Sequence, residues 1–182
     1  MEISKAQVNK EYMIAHYLNK NVLNDFFPYS ARYSCKNELL TKHFEHTTLF
    51  EWEAYIYSRI SILVPEITDL KKNEWTYDLN GLKTVRNWLQ DENNSFYYDA
   101  VFEFVQSFRH HSFIHGNLKI DNIFMNDDNQ FFVIDFTHSM IKENNSINQY
   151  TDFYSIYNSM SSISGSRDLN NLFNYYVPQM GY

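Results

Sequence analysis

The spacing of apolar and polar residues predicts short strands early in this chain and helices later in it. Short β-like runs fall in residues 26–44 and 75–79, and two more at 123–125 and 131–136 flank a polar turn and predict a β-hairpin. Helical spacing of apolar residues is found over residues 6–18, 48–62, 82–89, 95–108, 150–160 and 169–176. A strand-rich first third followed by a helix-rich remainder predicts an α+β fold.

Two of the predicted helices carry signals for their boundaries. Thr48 and Glu51 fit a capping box, so we expect a helix to begin at Thr48 and to run to about residue 62, before Pro65. Ser95 is a capping residue for the strongest helix, in which the apolar side chains fall on one face. We therefore expect the apolar face of this helix to be buried in the core.

Composition and charge narrow the class of protein. The chain has 182 residues, a mass of 21.9 kDa and a net charge of −7, so it lacks the basic field that attracts nucleic acid. Cys35 is the only cysteine, which excludes an intrachain disulfide and favours a reducing compartment. No apolar run approaches the roughly 20 residues that cross a bilayer, and residues 1–12 lack the apolar core of a signal peptide. We therefore expect a soluble, cytoplasmic protein with no membrane span.

The segment with the most chemical information is FIHGNLKIDNIFMNDDNQFFVIDFTHS, at residues 113–139. It resembles the protein kinase family, whose signatures are a catalytic loop of the form H-R-D-L-x-x-x-N and a D-F-G metal site. Residues 115–122 (HGNLKIDN) lie on the first signature, and residues 135–137 (DFT) lie on the second. The kinase fold places a hairpin between them, so the combination is more specific than either signature alone.

The resemblance implies roles for four residues of this segment. Asp135 and Asn122 would bind Mg²⁺ through their side-chain oxygens, and Lys119 would offer an ammonium group to the transferred phosphoryl group of ATP. Asn117 occupies the place of the aspartate that accepts the proton of the substrate hydroxyl, and an amide is not a base near neutral pH. Two explanations stay open: a natural pseudokinase, or an inactive Asp-to-Asn form of an active kinase.

Upstream of the catalytic loop, the resemblance implies a strand lysine paired with a helix glutamate. Lys42 lies in a strand-like run, and its partner would be Glu53, with Glu51 as the competing candidate. The glycine-rich loop of the family would fall near residues 27–33, where this chain has no glycine. Without glycine, backbone approach to phosphate is poorer.

The segment between the two predicted lobes implies a site for adenine. Tyr77 and Leu79 fall in the connector, whose backbone groups bind the base in similar kinases. The resemblance thus implies a bilobal protein kinase-like fold, with a strand-rich N-lobe and a truncated helical C-lobe. Residues 1–79 would form an N-terminal helix and the small lobe, and residues 80–182 would form the large lobe.

The large lobe departs from the family in two ways. Only 16 residues separate Asp135 from Asp152, and no A-P-E triplet occurs, so the activation segment is nearly absent. Gly116 replaces the arginine that pairs with a phosphorylated activation loop in many kinases. Control by phosphorylation of that loop is therefore not expected, whereas Asp152 resembles the aspartate that braces the catalytic loop.

Three functions follow from these residues. The first is a minimal protein kinase of the Ser/Thr type, similar in size to those of bacterial effectors and large DNA viruses, which uses ATP and Mg²⁺ on a host or partner protein. As an effector or viral protein it would act in the host cell cytoplasm. The second is a pseudokinase that acts as a protein-binding module. The third is a small-molecule phosphotransferase of the aminoglycoside or choline kinase type, against which Lys119 argues mildly.

Overall fold

A computed structural model describes residues 31–91, 95–107, 113–141 and 150–163, together with residues 171 and 174. The predicted helix over residues 6–18 lies outside these residues, and so does nearly all of the helix predicted over residues 169–176. None of the helices in the described residues is both long enough and apolar enough to span a bilayer.

An antiparallel four-stranded sheet forms the first part of the described chain. Its strands are β1 (Ala31–Lys36), β2 (Leu39–Phe44), β3 (Ile67–Lys71) and β4 (Glu74–Asp78), in the order β1-β2-β4-β3. Asn37 and Glu38 join β1 to β2 with φ angles of 50° and 63°. Two positive φ angles are typical of the tight turn that matches the twist of a hairpin. In the register between β2 and β4, Lys42 lies opposite Trp75.

Helix α1 (Thr47–Tyr57) connects β2 to β3 and differs from its predicted bounds at both ends. The capping-box prediction was wrong, because His46 is the N-cap residue and no side-chain hydrogen bond caps the helix. The helix also ends at Tyr57 and does not reach residue 62. Residues 60, 62 and 64 are half-buried, whereas residues 61 and 63 are exposed. This alternation has the two-residue period of an extended segment and not the period of a helix.

The apolar pattern did not predict strand β3, because most of its residues are exposed. Four of its five residues are exposed, so it carries no apolar run that distinguishes it from a loop. Its pairing with β4 supplies the backbone hydrogen bonds that define it.

Helices and short strands make up most of the remaining described residues. The helices are α2 (Val85–Asp91), α3 (Ser95–Ser107) and α4 (Tyr150–Ser161), with a 3-10 helix at Phe136–His138. The strands are β5 (Lys83–Thr84), β6 (Phe113–Ile114), β7 (Ile123–Met125), β8 (Phe131–Val133) and β9 (Met140–Ile141). Strands β7 and β8 form the predicted hairpin, and β5 pairs with β7. The predicted α+β class is confirmed, with an antiparallel sheet first and helices after it.

Aromatic side chains join the two parts of the fold. Phe136 is fully buried, and its ring centroid lies 5.2 Å from that of Tyr57 on α1 and 5.8 Å from that of Phe113 on β6. On the helical side, the Phe102 and Phe153 rings lie 5.0 Å apart and pack α3 against α4. The core is therefore continuous from the sheet to the last described helix.

We expect Phe153→Ala to lower the free energy of unfolding by about 3–5 kcal/mol, because it removes a fully buried ring and leaves a cavity. Asn158→Ala, at an exposed position of the same helix, is the matched control and should change stability by less than about 0.5 kcal/mol. Urea unfolding of the three proteins measures the difference. Equal stabilities for the two variants would show that α4 does not pack as described.

Candidate active site

Lys42 lies at the centre of a buried cluster of charges. Its side chain is fully buried, and its Nζ lies 2.6 Å from Glu53 Oε2 and 2.6 Å from Asp135 Oδ1. Strand β2, helix α1 and the segment after β8 each contribute one of these residues. The partner of Lys42 on α1 is Glu53 and not the competing candidate Glu51.

Lys42 and Asp135 keep each other ionised, whereas burial raises the pKa of Glu53 above its ordinary value. Burial lowers the pKa of Lys42, but the adjacent Asp135 and Glu53 outweigh it and raise that pKa above its ordinary value. Burial raises the pKa of Asp135, and Lys42 more than reverses the effect, so the pKa of Asp135 lies well below its usual range. Near neutral pH the ammonium and the Asp135 carboxylate are therefore both charged.

The second oxygen of Glu53 lies within hydrogen-bond distance of two tyrosine hydroxyls. The hydroxyl of Tyr57 lies 3.1 Å from Glu53 Oε1, the hydroxyl of Tyr77 lies 3.4 Å from it, and the two hydroxyls contact each other. These tyrosines contact the Glu53 oxygen that does not face Lys42, and the sequence did not predict this role for them. Because Tyr77 is on β4, the sheet itself positions the carboxylate.

Tyr77 and Leu79, which are expected in the adenine connector, lie in strand β4 and directly after it. Tyr77 lies in the middle of the sheet, paired with Leu40 on one side and Ile67 on the other. The N–H of Leu79 donates to Glu38 O at 2.8 Å, and its carbonyl accepts from Leu82 N at 2.9 Å. In this structure these backbone groups of Leu79 already have partners, and the adenine-binding role of Tyr77 and Leu79 stays a prediction.

The segment expected to replace the glycine-rich loop is described only at its end. Residues 31–33 belong to strand β1, and residues 27–30 lie outside the described residues. The ring centroid of Tyr33 lies 5.4 Å from Lys42 Nζ, so the start of β1 runs beside the charged cluster.

Two asparagines of the predicted catalytic loop meet Asp135. Asn117 Nδ2 donates to Asp135 Oδ2 at 2.7 Å, and Asn122 Nδ2 lies 3.3 Å from the same oxygen. Asn122 Nδ2 also donates to the backbone carbonyl of Asn117 at 2.9 Å, which ties the two ends of the loop together. Asp135 itself has φ 69° and ψ 55°, the left-handed conformation. The structure thus brings Lys42, Glu53, Asn117, Asn122 and Asp135 into one cluster.

The predicted phosphate-facing lysine is separate from this cluster. Among the described residues, no hydrogen bond or ion pair joins the Lys119 side chain to it, and the backbone carbonyl of Lys119 accepts from Asn122 N at 2.8 Å. Its neighbour Asp121 forms a bidentate ion pair with Arg86 on α2, at 2.5 and 2.8 Å. The role of Lys119 in phosphoryl transfer stays a prediction.

Asp152 and His115 set the path of the catalytic loop. The Asp152 carboxylate accepts the backbone N–H groups of His115 and Gly116, each at 2.8 Å, from its position on α4. Burial lowers the pKa of His115 to about 4, so its ring is neutral at pH 7. Nε2 of the ring lies 3.0 Å from the carbonyl oxygen of Ile134, and Nδ1 accepts a hydrogen bond from the backbone N–H of Asn117 at 3.2 Å. The proton therefore resides on Nε2.

Gly116 is required at its position by both conformation and space. Its φ is +79°, and a Cβ atom there would lie 2.2 Å from the backbone oxygen of His138. An arginine cannot occupy this position without displacing the backbone at residue 138. This close approach explains why the chain departs from the arginine of the kinase signature.

The donor set around Asp135 suits a hard cation that also binds phosphate. Among the described residues, no group of three or more His, Cys, Asp or Glu side chains could hold a metal ion by itself. Mg²⁺ commonly takes one or two protein oxygens and completes its coordination with phosphate oxygens and water. The Asp135 carboxylate and the Asn122 amide oxygen are ligands of this kind, and the two side chains are adjacent, with Asn122 Nδ2 3.3 Å from Asp135 Oδ2.

A protein-family model matches this chain. The model of the RIO domain family matches residues 53–163, well over half of the sequence. The matched region begins at Glu53 on α1, contains the catalytic loop and Asp135, and ends just after α4. A search of curated proteins found no match.

We expect Gly116→Ala to be much more destabilising than Gly81→Ala, which is its matched control. Gly81 has a similar φ of +73° but no atom within 4 Å of an added Cβ, so its substitution should cost only the roughly 1–2 kcal/mol of left-handed strain. Gly116→Ala should cost at least about 2 kcal/mol more, because His138 must move. Chemical denaturation measures both. Equal losses would mean that the close approach to His138 is absent in solution.

Proposed function

The chain belongs to the RIO domain family, which is protein kinase-like, and we propose that it transfers a phosphoryl group from Mg²⁺-ATP to a Ser or Thr of a partner protein. The observation that carries this proposal is the ammonium of Lys42, held 2.6 Å from both Glu53 and Asp135. Phosphoryl transfer depends on positioned positive charge and metal ligands more than on covalent chemistry by the protein. This cluster provides both kinds of group.

Each residue of the cluster has a task in the proposed reaction. Lys42 would bind phosphate oxygens of the nucleotide, and Glu53 would keep its ammonium in place. Asp135 and Asn122 would hold Mg²⁺, which when bound neutralises charge on the phosphates. Asn117 would orient the acceptor hydroxyl, and Lys119 would approach the transferred group from the same loop.

The acceptor substrate and the cellular compartment are part of the same proposal. The family membership supports an ATP-binding phosphotransferase, while the protein acceptor, its Ser/Thr type and action in the cytoplasm of a cell or host cell rest on the resemblance and the small size of the chain. An effector or viral origin stays a prediction.

A pseudokinase that binds a partner protein is the second candidate, and Asn117 favours it. An amide at this position cannot accept the proton of the acceptor hydroxyl, and loss of a general base typically costs about 10²–10⁴-fold in rate. Asn117 also donates to Asp135 Oδ2 at 2.7 Å, so its amide stabilises that carboxylate. A non-catalytic protein could use that stable site as a structural scaffold.

We expect Mg²⁺-ATP to raise the melting temperature, because the cluster would bind it in the folded state only. At a hundredfold excess over Kd the gain in stability is about 2.7 kcal/mol. Asp135→Ala should abolish the shift, whereas Asp128→Ala, at an exposed position of the β7–β8 turn, should preserve it. Differential scanning fluorimetry with and without Mg²⁺ measures the shift. No shift at millimolar Mg²⁺-ATP, or a shift that Asp135→Ala preserves, would contradict the proposal.

We expect Asn117→Asp to raise phosphoryl transfer by at least about 10²-fold, the scale of a general base. The substitution replaces a donor 2.7 Å from Asp135 Oδ2 with a second carboxylate, so it should also increase the affinity for Mg²⁺. Asn158→Asp, exposed on α4, adds the same charge away from the site and is the control. Single-turnover transfer from radiolabelled ATP to several protein acceptors is the measurement. Background transfer by Asn117→Asp with every acceptor would favour the binding module.

A further inference from the structure

Thr137 is the member of the buried cluster that the proposed function leaves without a task. It follows Asp135-Phe136 at the position where the kinase signature has glycine, and it lies in the 3-10 helix with no exposed surface. Glycine offers no side chain to this site. A hydroxyl group here therefore needs its own explanation.

The Thr137 hydroxyl lies within hydrogen-bond distance of all three charged groups. Its Oγ1 lies 2.7 Å from Lys42 Nζ, 2.6 Å from Glu53 Oε2 and 3.3 Å from Asp135 Oδ1. A hydroxyl has one hydrogen to donate and lone pairs that accept. The short distance assigns that hydrogen to Glu53, and a lone pair accepts from Lys42.

The three N–H groups of Lys42 consequently have three acceptors. These acceptors are Glu53 Oε2, Thr137 Oγ1 and Asp135 Oδ1, at 2.6, 2.7 and 2.6 Å. Glu53 and Thr137 are fully buried, whereas 13% of the Asp135 side chain is exposed. The Asp135 contact is therefore the one that an incoming ligand reaches from solvent.

We propose that Thr137 is a positioning residue that, with Glu53, fixes two N–H groups of Lys42 and so directs the third toward the ligand side of the cluster. An ammonium held by one acceptor rotates about its Cε–Nζ bond, but two acceptors determine the direction of the third N–H. In this structure Asp135 accepts this N–H, and a phosphate oxygen would accept it in the proposed complex. This inference rests on the proposed function for the identity of the ligand.

The energetic consequence is pre-organisation of Lys42. A group already oriented before binding loses less conformational freedom when the ligand arrives, so more of the interaction energy is expressed as affinity. The orientation is set without phosphorylation of any loop, in keeping with the short segment that follows Asp135.

The test compares two substitutions of Thr137 with a matched control. Thr137→Val keeps the shape and removes the hydroxyl, and Thr137→Ser keeps the hydroxyl. Thr76→Val makes the same change at another buried threonine, whose Oγ1 lies 2.9 Å from Thr41 Oγ1. Thr41 and Thr76 are cross-strand partners on the face of the sheet opposite to Lys42. Thr137→Ala replaces Thr137→Val if circular dichroism shows that the valine variant is unfolded.

Calorimetric titration with Mg²⁺-ATP and with adenosine gives the first readout. Thr137→Val should weaken Mg²⁺-ATP binding about 10-fold and leave adenosine binding within about twofold, because adenosine lacks the phosphates that Lys42 contacts. Thr137→Ser and Thr76→Val should bind both ligands like the original protein. Equal weakening for both ligands, or no weakening for Mg²⁺-ATP, would overturn the inference.

Hydrogen exchange of the Lys42 ammonium gives a second readout that needs no nucleotide. In ¹⁵N-lysine-labelled protein, the Lys42 ammonium signal, assigned by its loss in Lys42→Arg, should exchange at least about 10-fold faster in Thr137→Val than in Thr137→Ser or Thr76→Val. If the original protein binds no Mg²⁺-ATP, the proposed function fails, and faster exchange in Thr137→Val still supports the positioning role. Equal exchange in all variants would overturn that role.

Discussion

A fully buried ammonium group is the constraint on which the rest of this structure depends. Lys42 has no contact with solvent, so its charge is tolerated only because Glu53 and Asp135 lie 2.6 Å from it and Thr137 accepts its remaining N–H. Removing one partner from such a group typically costs about 3–5 kcal/mol. Strand β2, helix α1 and the segment after β8 must therefore meet in one arrangement.

The packing around the cluster supports that arrangement. Phe136, between the two polar members Asp135 and Thr137, is buried against Tyr57 and His115, with ring centroids 5.2 and 4.6 Å away. The apolar ring and its polar neighbours alternate in direction, so the core holds the backbone while the charged groups face Lys42. The same segment thus joins the hydrophobic core to the candidate active site.

Much of this arrangement was predictable from sequence because the signals are local. The β7–β8 hairpin has two apolar runs around a polar turn, and helices α3 and α4 have apolar faces at helical spacing. The catalytic loop and the D-F-T triplet are contiguous segments, so their resemblance to kinases, and with it the fold class, could be recognised before any contact was known. Pairing Lys42 with a helix glutamate followed from that resemblance.

Tertiary structure alone decided the details that depend on distant residues. The end of α1 at Tyr57 and the formation of β3 reflect packing and strand pairing that the local pattern does not encode. The contact between Tyr77 and Glu53 and the hydrogen bond from Thr137 to Glu53 join residues that are 24 and 84 positions apart, which no spacing rule relates. Sequence by itself determined which chemical groups are present and which local elements carry them. Only folding determined which of those groups meet, because contact is set by the packing of the whole core.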